Sequence, residues 1–92
     1  MKIIFELHYK GEKKGTCLLD SQNETVEFTY ESKEAEKQVD WFIGGNTFYD
    51  FYELLNSRLG KFHKKSNLEE IIESLKLSKG RLNGDYWSIL VN

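Results

Sequence analysis

Residues 2–10 read Lys-Ile-Ile-Phe-Glu-Leu-His-Tyr-Lys, and this stretch sets the pattern for the first third of the chain. Every second side chain forms an apolar face, and the opposite face is mostly polar. This alternation is typical of a β-strand that is buried on one side. Polar segments at residues 11–15 and 21–24 separate the stretch from two further strand-like segments, residues 16–20 and 25–30. Together they predict a three-stranded antiparallel meander.

The apolar positions also predict how the strands pair, because a slip of one residue moves every side chain to the other face. In the second hairpin, this argument places Leu19 opposite Val26. In the first hairpin, it places Leu7 opposite Leu19 and Tyr9 opposite Cys17, which leaves a five-residue polar loop. The predicted inner face of the sheet consists of Ile3, Phe5, Leu7, Tyr9, Cys17, Leu19, Val26, Phe28 and Tyr30.

An apolar sheet face needs a covering layer, and the following segments have helical character. Ser32, Thr47 and the capping box Ser66–Glu69 are predicted helix starts, and the glycines at or near the ends of these segments are predicted stops. Apolar residues recur at helical spacing between the starts and the stops. The predicted helices run from Ser32 to about Ile43, from Thr47 to Gly60, and from Ser66 to near Gly80.

The chain ends in a second region of strand character. Asn83-Gly84 is a strong turn signal that joins a short strand at residues 81–82 to a final strand at Tyr86–Val91. That last strand is apolar at five of its six positions, so we expect it inside the sheet with both faces covered, not at an edge. The sequence therefore predicts an α+β fold in the order β-β-β-α-α-α-β, formed by residues 1–92 as one domain.

Composition excludes several classes of protein. The 92 residues are 39% hydrophobic and include 13 aromatics, which is enough for one modest core. A single cysteine forms no internal disulfide and no cysteine-rich zinc site. Glu6 and His8 interrupt the first apolar run, so we expect no signal peptide, and no stretch is apolar enough to span a membrane. These features favour a cytoplasmic protein.

Residues capable of catalysis or metal binding are few and scattered. His8, Cys17 and His63 show no spacing typical of metal ligands, so we predict neither metal nor cofactor nor catalytic residue. One alternative is a small enzyme that uses Cys17 with a histidine. It requires a strand register in which His8 lies opposite Cys17, at the expense of the apolar match in both hairpins.

A short basic segment provides another alternative. It could contact phosphate groups and stack one base, as in a nucleic-acid-associated accessory domain. A net charge of −2 argues against binding by bulk charge, and basic residues after a helix are already favourable for the helix dipole. The residues are Lys61, Phe62, His63, Lys64 and Lys65.

The most unusual feature is residues 41–52, where six of the 13 aromatics fall within 12 positions. Helical spacing assigns most of them to the core, but Trp41 and Tyr49 lie on the polar sides of their helices. Exposed aromatics beside carboxylates are suited to a protein partner with a basic surface. The predicted protein-binding residues are Trp41, Tyr49, Asp40, Asp50, Glu53 and Asn56.

The sequence thus favours a small non-enzymatic module that binds a protein, as a monomer or homodimer and without a membrane. Such a module would mask a surface on its partner, as an inhibitor, an immunity or antitoxin-like protein, or a phage anti-host protein does. Nucleic-acid binding and cysteine-based catalysis remain the alternatives.

Overall fold

A computed structural model describes residues 2–59, 68–81 and 86–92, apart from the side chains of Arg58 and Leu59. The regular elements follow one another in the predicted order, so the α+β fold is confirmed. They are β1 (Lys2–Tyr9), β2 (Glu12–Asp20), β3 (Thr25–Tyr30), α1 (Lys33–Ile43), α2 (Phe48–Leu59), α3 (Leu68–Leu77) and β4 (Trp87–Val91). None of the helices in the described ranges is both long and apolar enough to cross a membrane.

The four strands form one antiparallel sheet in the order β3-β2-β1-β4. The predicted register of the second hairpin is confirmed, with Leu19 opposite Val26 and Cys17 opposite Phe28. The predicted inner face is also confirmed, because its members are buried or half-buried against the helices. The helices therefore cover one face of the sheet, and the core lies between the two layers.

The predicted register of the first hairpin is wrong. Cys17 pairs with Phe5 rather than Tyr9, and Leu19 pairs with Ile3. The chain reverses at Lys10 and Gly11, whose positive φ angles of 50° and 82° form a tight turn, so β2 begins at Glu12. A β-bulge between Leu7 and His8 then changes the offset from the predicted register from five residues next to the turn to four along the rest of β1. The inner face survives the error because a shift of four residues is even and keeps these side chains on the predicted face.

The predicted position of the final strand is also wrong, since β4 lies at an edge of the sheet with β1 as its one neighbouring strand among the described residues. Trp87 and Ile89 are buried on the inner face. The free side of the strand is partly covered by the chain that leaves α3. The Ile89 N–H donates to the Gly80 carbonyl over 2.7 Å, and Arg81 forms a bridge with Ser88. This partial cover explains how a strand as apolar as β4 can lie at an edge of the sheet.

The N-termini of the first two helices follow the sequence prediction. The Ser32 hydroxyl accepts a hydrogen bond from the Ala35 N–H at 3.0 Å. At α2, the Thr47 hydroxyl accepts from the Asp50 N–H at 3.1 Å, and the Asp50 carboxylate accepts from the Thr47 N–H at 3.2 Å. Each arrangement satisfies backbone donors that the helix leaves unpaired.

The helix ends are described only in part. Gly44 terminates α1 in the left-handed conformation, and Gly80 adopts it after α3, as the sequence predicts. The predicted cap at Ser66, the stop at Gly60 and the turn at Asn83-Gly84 lie outside the described residues.

Aromatic side chains join the layers of the core. Phe51 of α2 is fully buried and meets Phe5 edge-on at 5.3 Å and Phe28 at 6.0 Å between ring centroids. From helical spacing, the predicted apolar stripe of α2 consists of Phe48, Phe51, Tyr52, Leu55 and Leu59, and it omits Leu54, which is buried as well. Leu54 lies three residues after Phe51, so the same spacing places it on the buried face.

Candidate protein-binding surfaces

Trp41 projects from the last turn of α1 and is 90% exposed. Its neighbour Phe42 is buried and stacks on Trp87, with centroids 4.3 Å apart and ring planes within 3°. Consecutive helix residues differ by about 100° around the axis, so one of these aromatics reaches the sheet and the other points outward. The sequence prediction that Trp41 is exposed is therefore confirmed.

Trp41 stands at the rim of a cleft of about 190 Å³, which we call the aromatic cleft. Tyr9 of β1, Gln38 of α1 and Trp87 of β4 form the rest of its lining. The Gln38 Oε1 atom is buried and has no hydrogen-bond partner among the described residues. A buried acceptor without a partner is unfavourable by about 1–3 kcal/mol.

A second exposed aromatic lies beside the aromatic cleft. Tyr86 is 72% exposed, and its ring centroid lies 6.4 Å from that of Tyr9. The Lys10 Nζ lies 5.0 Å from the Tyr86 centroid and 5.5 Å from the Tyr9 centroid. Sequence reasoning did not select Tyr86, because only the pairing of β1 with β4 brings it next to Tyr9. The available signal was its place as the first residue of the predicted final strand, Tyr86–Val91.

Tyr49 is exposed as predicted, at 65%, but it belongs to a different surface. Its hydroxyl donates a hydrogen bond to the carboxylate of Glu24, in the turn between β2 and β3. That bond and the negative charge raise the pKa of Tyr49. A separate cavity of about 310 Å³ lies beside it, bordered by Phe48, Tyr52 and Leu68 among others.

The structure does not bring Trp41 and Tyr49 together. Trp41 neighbours Tyr9 at the last residue of β1, whereas Glu24 follows Asp20, which pairs with Lys2 at the first residue of β1. The two aromatics therefore lie toward opposite ends of the sheet. The single predicted patch divides into the aromatic cleft and the surroundings of Tyr49.

The polar members of the predicted set have contacts within the fold. Asp50 caps α2 through Thr47, so its carboxylate serves helix structure. Asn56 donates from Nδ2 to the Tyr52 carbonyl at 3.3 Å. Glu53 borders the cavity beside Tyr49.

Asp40 links α1 to the sheet. Its carboxylate accepts a hydrogen bond from the Tyr30 hydroxyl at 3.1 Å. Partial burial, reinforced by this bond and the charge of Asp40, raises the pKa of Tyr30 to about 12. Asp40 remains exposed beside Trp41, so it can also face a partner.

Cys17 and His8 lie on opposite faces of the sheet. Cys17 is fully buried on the inner face, where burial raises the pKa of its thiol to about 12. His8 lies on the outer face with its Nε2 atom 3.1 Å from the Glu6 carboxylate. The register that would place His8 opposite Cys17 is not formed, since Phe5 occupies that position.

The remaining candidates concern metal and nucleic acid. Across residues 2–59, 68–81 and 86–92, no group of three or more histidine, cysteine, aspartate or glutamate side chains is placed to hold a metal ion. His63 and the whole basic segment from Lys61 to Lys65 lie outside the described residues. The predicted nucleic-acid contacts therefore stay a prediction.

Comparison of the chain with protein-family models, with curated proteins and with solved structures finds no match in any of the three.

Proposed function

We propose that this chain is a non-enzymatic protein-binding module that holds its partner at the aromatic cleft. The observation that carries the proposal is the 90% exposure of Trp41 at the rim of a cleft backed by two further aromatic rings. Tryptophan is among the residues most enriched where binding energy concentrates in interfaces. Complete burial of such a side chain removes about 150–250 Å² from water. At roughly 25 cal/mol per Å², that corresponds to about 4–6 kcal/mol before the losses of association are subtracted.

The lining of the aromatic cleft favours a basic side chain from the partner. The exposed indole of Trp41 attracts a cation. A lysine or arginine also has an apolar stem that packs along aromatic rings. The exposed carboxylate of Asp40 beside Trp41 adds to this preference.

The proposed mode of action is to cover a functional surface on the partner, as inhibitors, antitoxins and immunity proteins do. A rigid aromatic anchor serves this purpose because little conformational freedom is lost when it is buried. Such an anchor gives slow dissociation without any chemical step.

The experiment compares the binding of wild type and Trp41→Ala to the partner that wild type recovers from cells encoding the chain. We expect the substitution to weaken binding at least 30-fold, which corresponds to about 2 kcal/mol. Thermal unfolding should be unchanged, because the side chain contributes little to the core. Leu77→Ala is the matched control, since Leu77 is 80% exposed on α3.

Equal binding by wild type and Trp41→Ala would contradict the proposal. So would a large fall in the unfolding midpoint of Trp41→Ala, because the indole would then be part of the core. Because Tyr49 lies toward the other end of the sheet, Tyr49→Ala separates a role for its own surface from that of the aromatic cleft.

A further inference from the structure

We propose that the outer edge of β3 accepts an additional strand from a protein, namely an extended segment in which apolar and basic side chains alternate. This surface is independent of the aromatic cleft, which lies where α1 meets β1 and β4. Strand addition at a sheet edge gains affinity from main-chain hydrogen bonds and specificity from alternate side chains.

The direction of the backbone groups follows from one hydrogen bond. The Glu31 N–H donates to the Lys14 carbonyl at 2.9 Å, immediately beyond the pair Gly15 and Tyr30. In an antiparallel pair, hydrogen-bonded and non-hydrogen-bonded positions alternate along the strand. The groups that face β2 therefore belong to Thr25, Glu27 and Thr29. The N–H and C=O groups of Val26, Phe28 and Tyr30 point to the opposite side.

No segment within the described residues pairs with that outward side of β3. The other edge of the sheet is different. At β4, the outward N–H of Ile89 is taken by the Gly80 carbonyl, and Arg81 bridges Ser88. The fold thus covers part of the β4 edge with its own chain. At the β3 edge, the outward backbone N–H and C=O groups have no such cover from the described residues.

The apolar side chains of β3 are also incompletely covered by the rest of the fold. Val26, Phe28 and Tyr30 point to the inner face but are only half-buried. On the same face of β2, Cys17 and Leu19 are fully buried. An added strand with apolar side chains on this face would extend the covered layer past β3.

Charge selects the kind of strand that fits. Residues 24–40, which comprise β3 and most of α1, carry six carboxylates and two lysines, for a net charge of −4, while the whole chain has −2. Within β3 the one charged residue is Glu27, which is exposed on the outer face. Lysine and proline, which often protect edge strands from pairing, do not occur in β3. A partner strand with lysine or arginine on the outer face complements this edge.

A second copy of the chain is a poorer occupant. Antiparallel pairing of two β3 strands would bring two acidic segments of net charge −4 together. Centring the pair on Glu27 would place that residue directly opposite its own copy, and like charges at such positions are destabilising.

The first experiment adds a synthetic seven-residue peptide of alternating valine and lysine to the whole protein and follows amide hydrogen exchange. In the free protein, we expect fast exchange at Val26, Phe28 and Tyr30. The peptide should slow exchange at these three amides at least tenfold. The amides of Thr25, Glu27 and Thr29 should be protected before and after addition.

Two control peptides separate main-chain pairing from simple charge attraction. One carries N-methyl groups on the alternate amides that would face β3, and the other carries glutamate in place of lysine. We expect each to bind at least tenfold more weakly than the parent peptide. Equal binding by the N-methylated peptide would overturn strand addition.

Glu27→Lys is the variant on the protein side, with Glu73→Lys as the control that changes net charge equally on an exposed position of α3. We expect at least tenfold weaker binding for the first and wild-type binding for the second, with matched thermal midpoints. Trp41→Ala should bind the peptide like wild type. A failure of strand addition can therefore be distinguished from a failure of the proposed binding at the aromatic cleft.

One further result would also contradict the proposal. If the amides of Val26, Phe28 and Tyr30 are already protected in the free protein and sedimentation gives the mass of a dimer, the occupant is a second copy.

Discussion

At the scale of single residues, burial decides chemistry more than residue type does. Cys17 is the protein's one thiol, and the fold encloses it between Phe5 and Phe28 in the neighbouring strands. Burial raises its pKa to about 12 because the interior disfavours the thiolate. The side chain therefore packs as a small apolar group.

We expect thiol reagents at pH 8 to label Cys17 only as fast as the protein unfolds. The same reagent should label it within the mixing time once denaturant has unfolded the chain. Labelling of the native protein at the rate of a free thiol would show that Cys17 is accessible.

The same burial predicts a pH dependence. The pKa of Cys17 is about 12 when folded and near 9 when unfolded, so its stabilising contribution is present below pH 9 and is lost between pH 9 and 12. The pKa of Tyr30 is raised from 10 to about 12, so this residue adds a further loss of stability that starts above pH 10. Denaturant midpoints should therefore fall from pH 9, and Cys17→Ala should remove most of the fall between pH 9 and 10.

At the scale of elements, turns and junctions decide where strands begin and which edges remain open. The two-residue turn at Lys10 and Gly11 lengthens β2, and together with the bulge between Leu7 and His8 it sets the register of β2 against β1. At the junction of α3 and β4, Gly80 accepts the hydrogen bond from the Ile89 N–H. Both glycines have φ of +82°, but their surroundings differ.

This difference defines a matched pair of substitutions. A Cβ atom on Gly80 would meet the Ile89 carbonyl oxygen at 2.7 Å, whereas a Cβ on Gly11 would have no atom within 4 Å. We expect Gly11→Ala to destabilise by about 1–2 kcal/mol, the strain of the left-handed conformation alone. Gly80→Ala should cost more, because the backbone of β4 must also move. Urea unfolding measures the free energy of unfolding of both variants. Equal destabilisation would contradict this expectation, because it would show that the backbone of β4 moves away from the new Cβ atom without a loss of stability.

At the scale of the whole molecule, the core depends on pairing between the two ends of the chain. The first strand, β1, lies between β2 and β4, so the last strand closes the sheet against the first. From β4, Trp87 stacks on Phe42 and Ile89 is fully buried. The C-terminal strand is thus part of the same core as the meander and the helices.

Ile89→Ala should therefore destabilise the entire domain by about 2–5 kcal/mol through loss of buried apolar contacts and the cavity left behind. Fluorescence and circular dichroism should report one common transition at a lower denaturant midpoint. Leu77→Ala, at an 80% exposed position, should stay within about 0.5 kcal/mol of wild type. Separate transitions for the sheet and the helices would contradict a single core.

Much of the fold could be predicted because the relevant signals are local. Alternation along β1, the caps at Ser32 and Thr47, and the left-handed glycine at Gly44 each involve residues close together in the chain. The exposure of Trp41 and Tyr49 followed from helical geometry in the same way. The first-hairpin register failed because apolar matching alone permits any even shift.

Long-range pairing decided the rest. The edge position of β4, the approach of Tyr86 to Tyr9, and the separation of Trp41 from Tyr49 depend on which distant strands become neighbours. Periodicity shows which side chains share a face, but it carries no information about strand order. The local pattern therefore established the elements and their buried faces. Only the packed sheet decided which edge stays open and which aromatics meet, because contacts between distant segments set both.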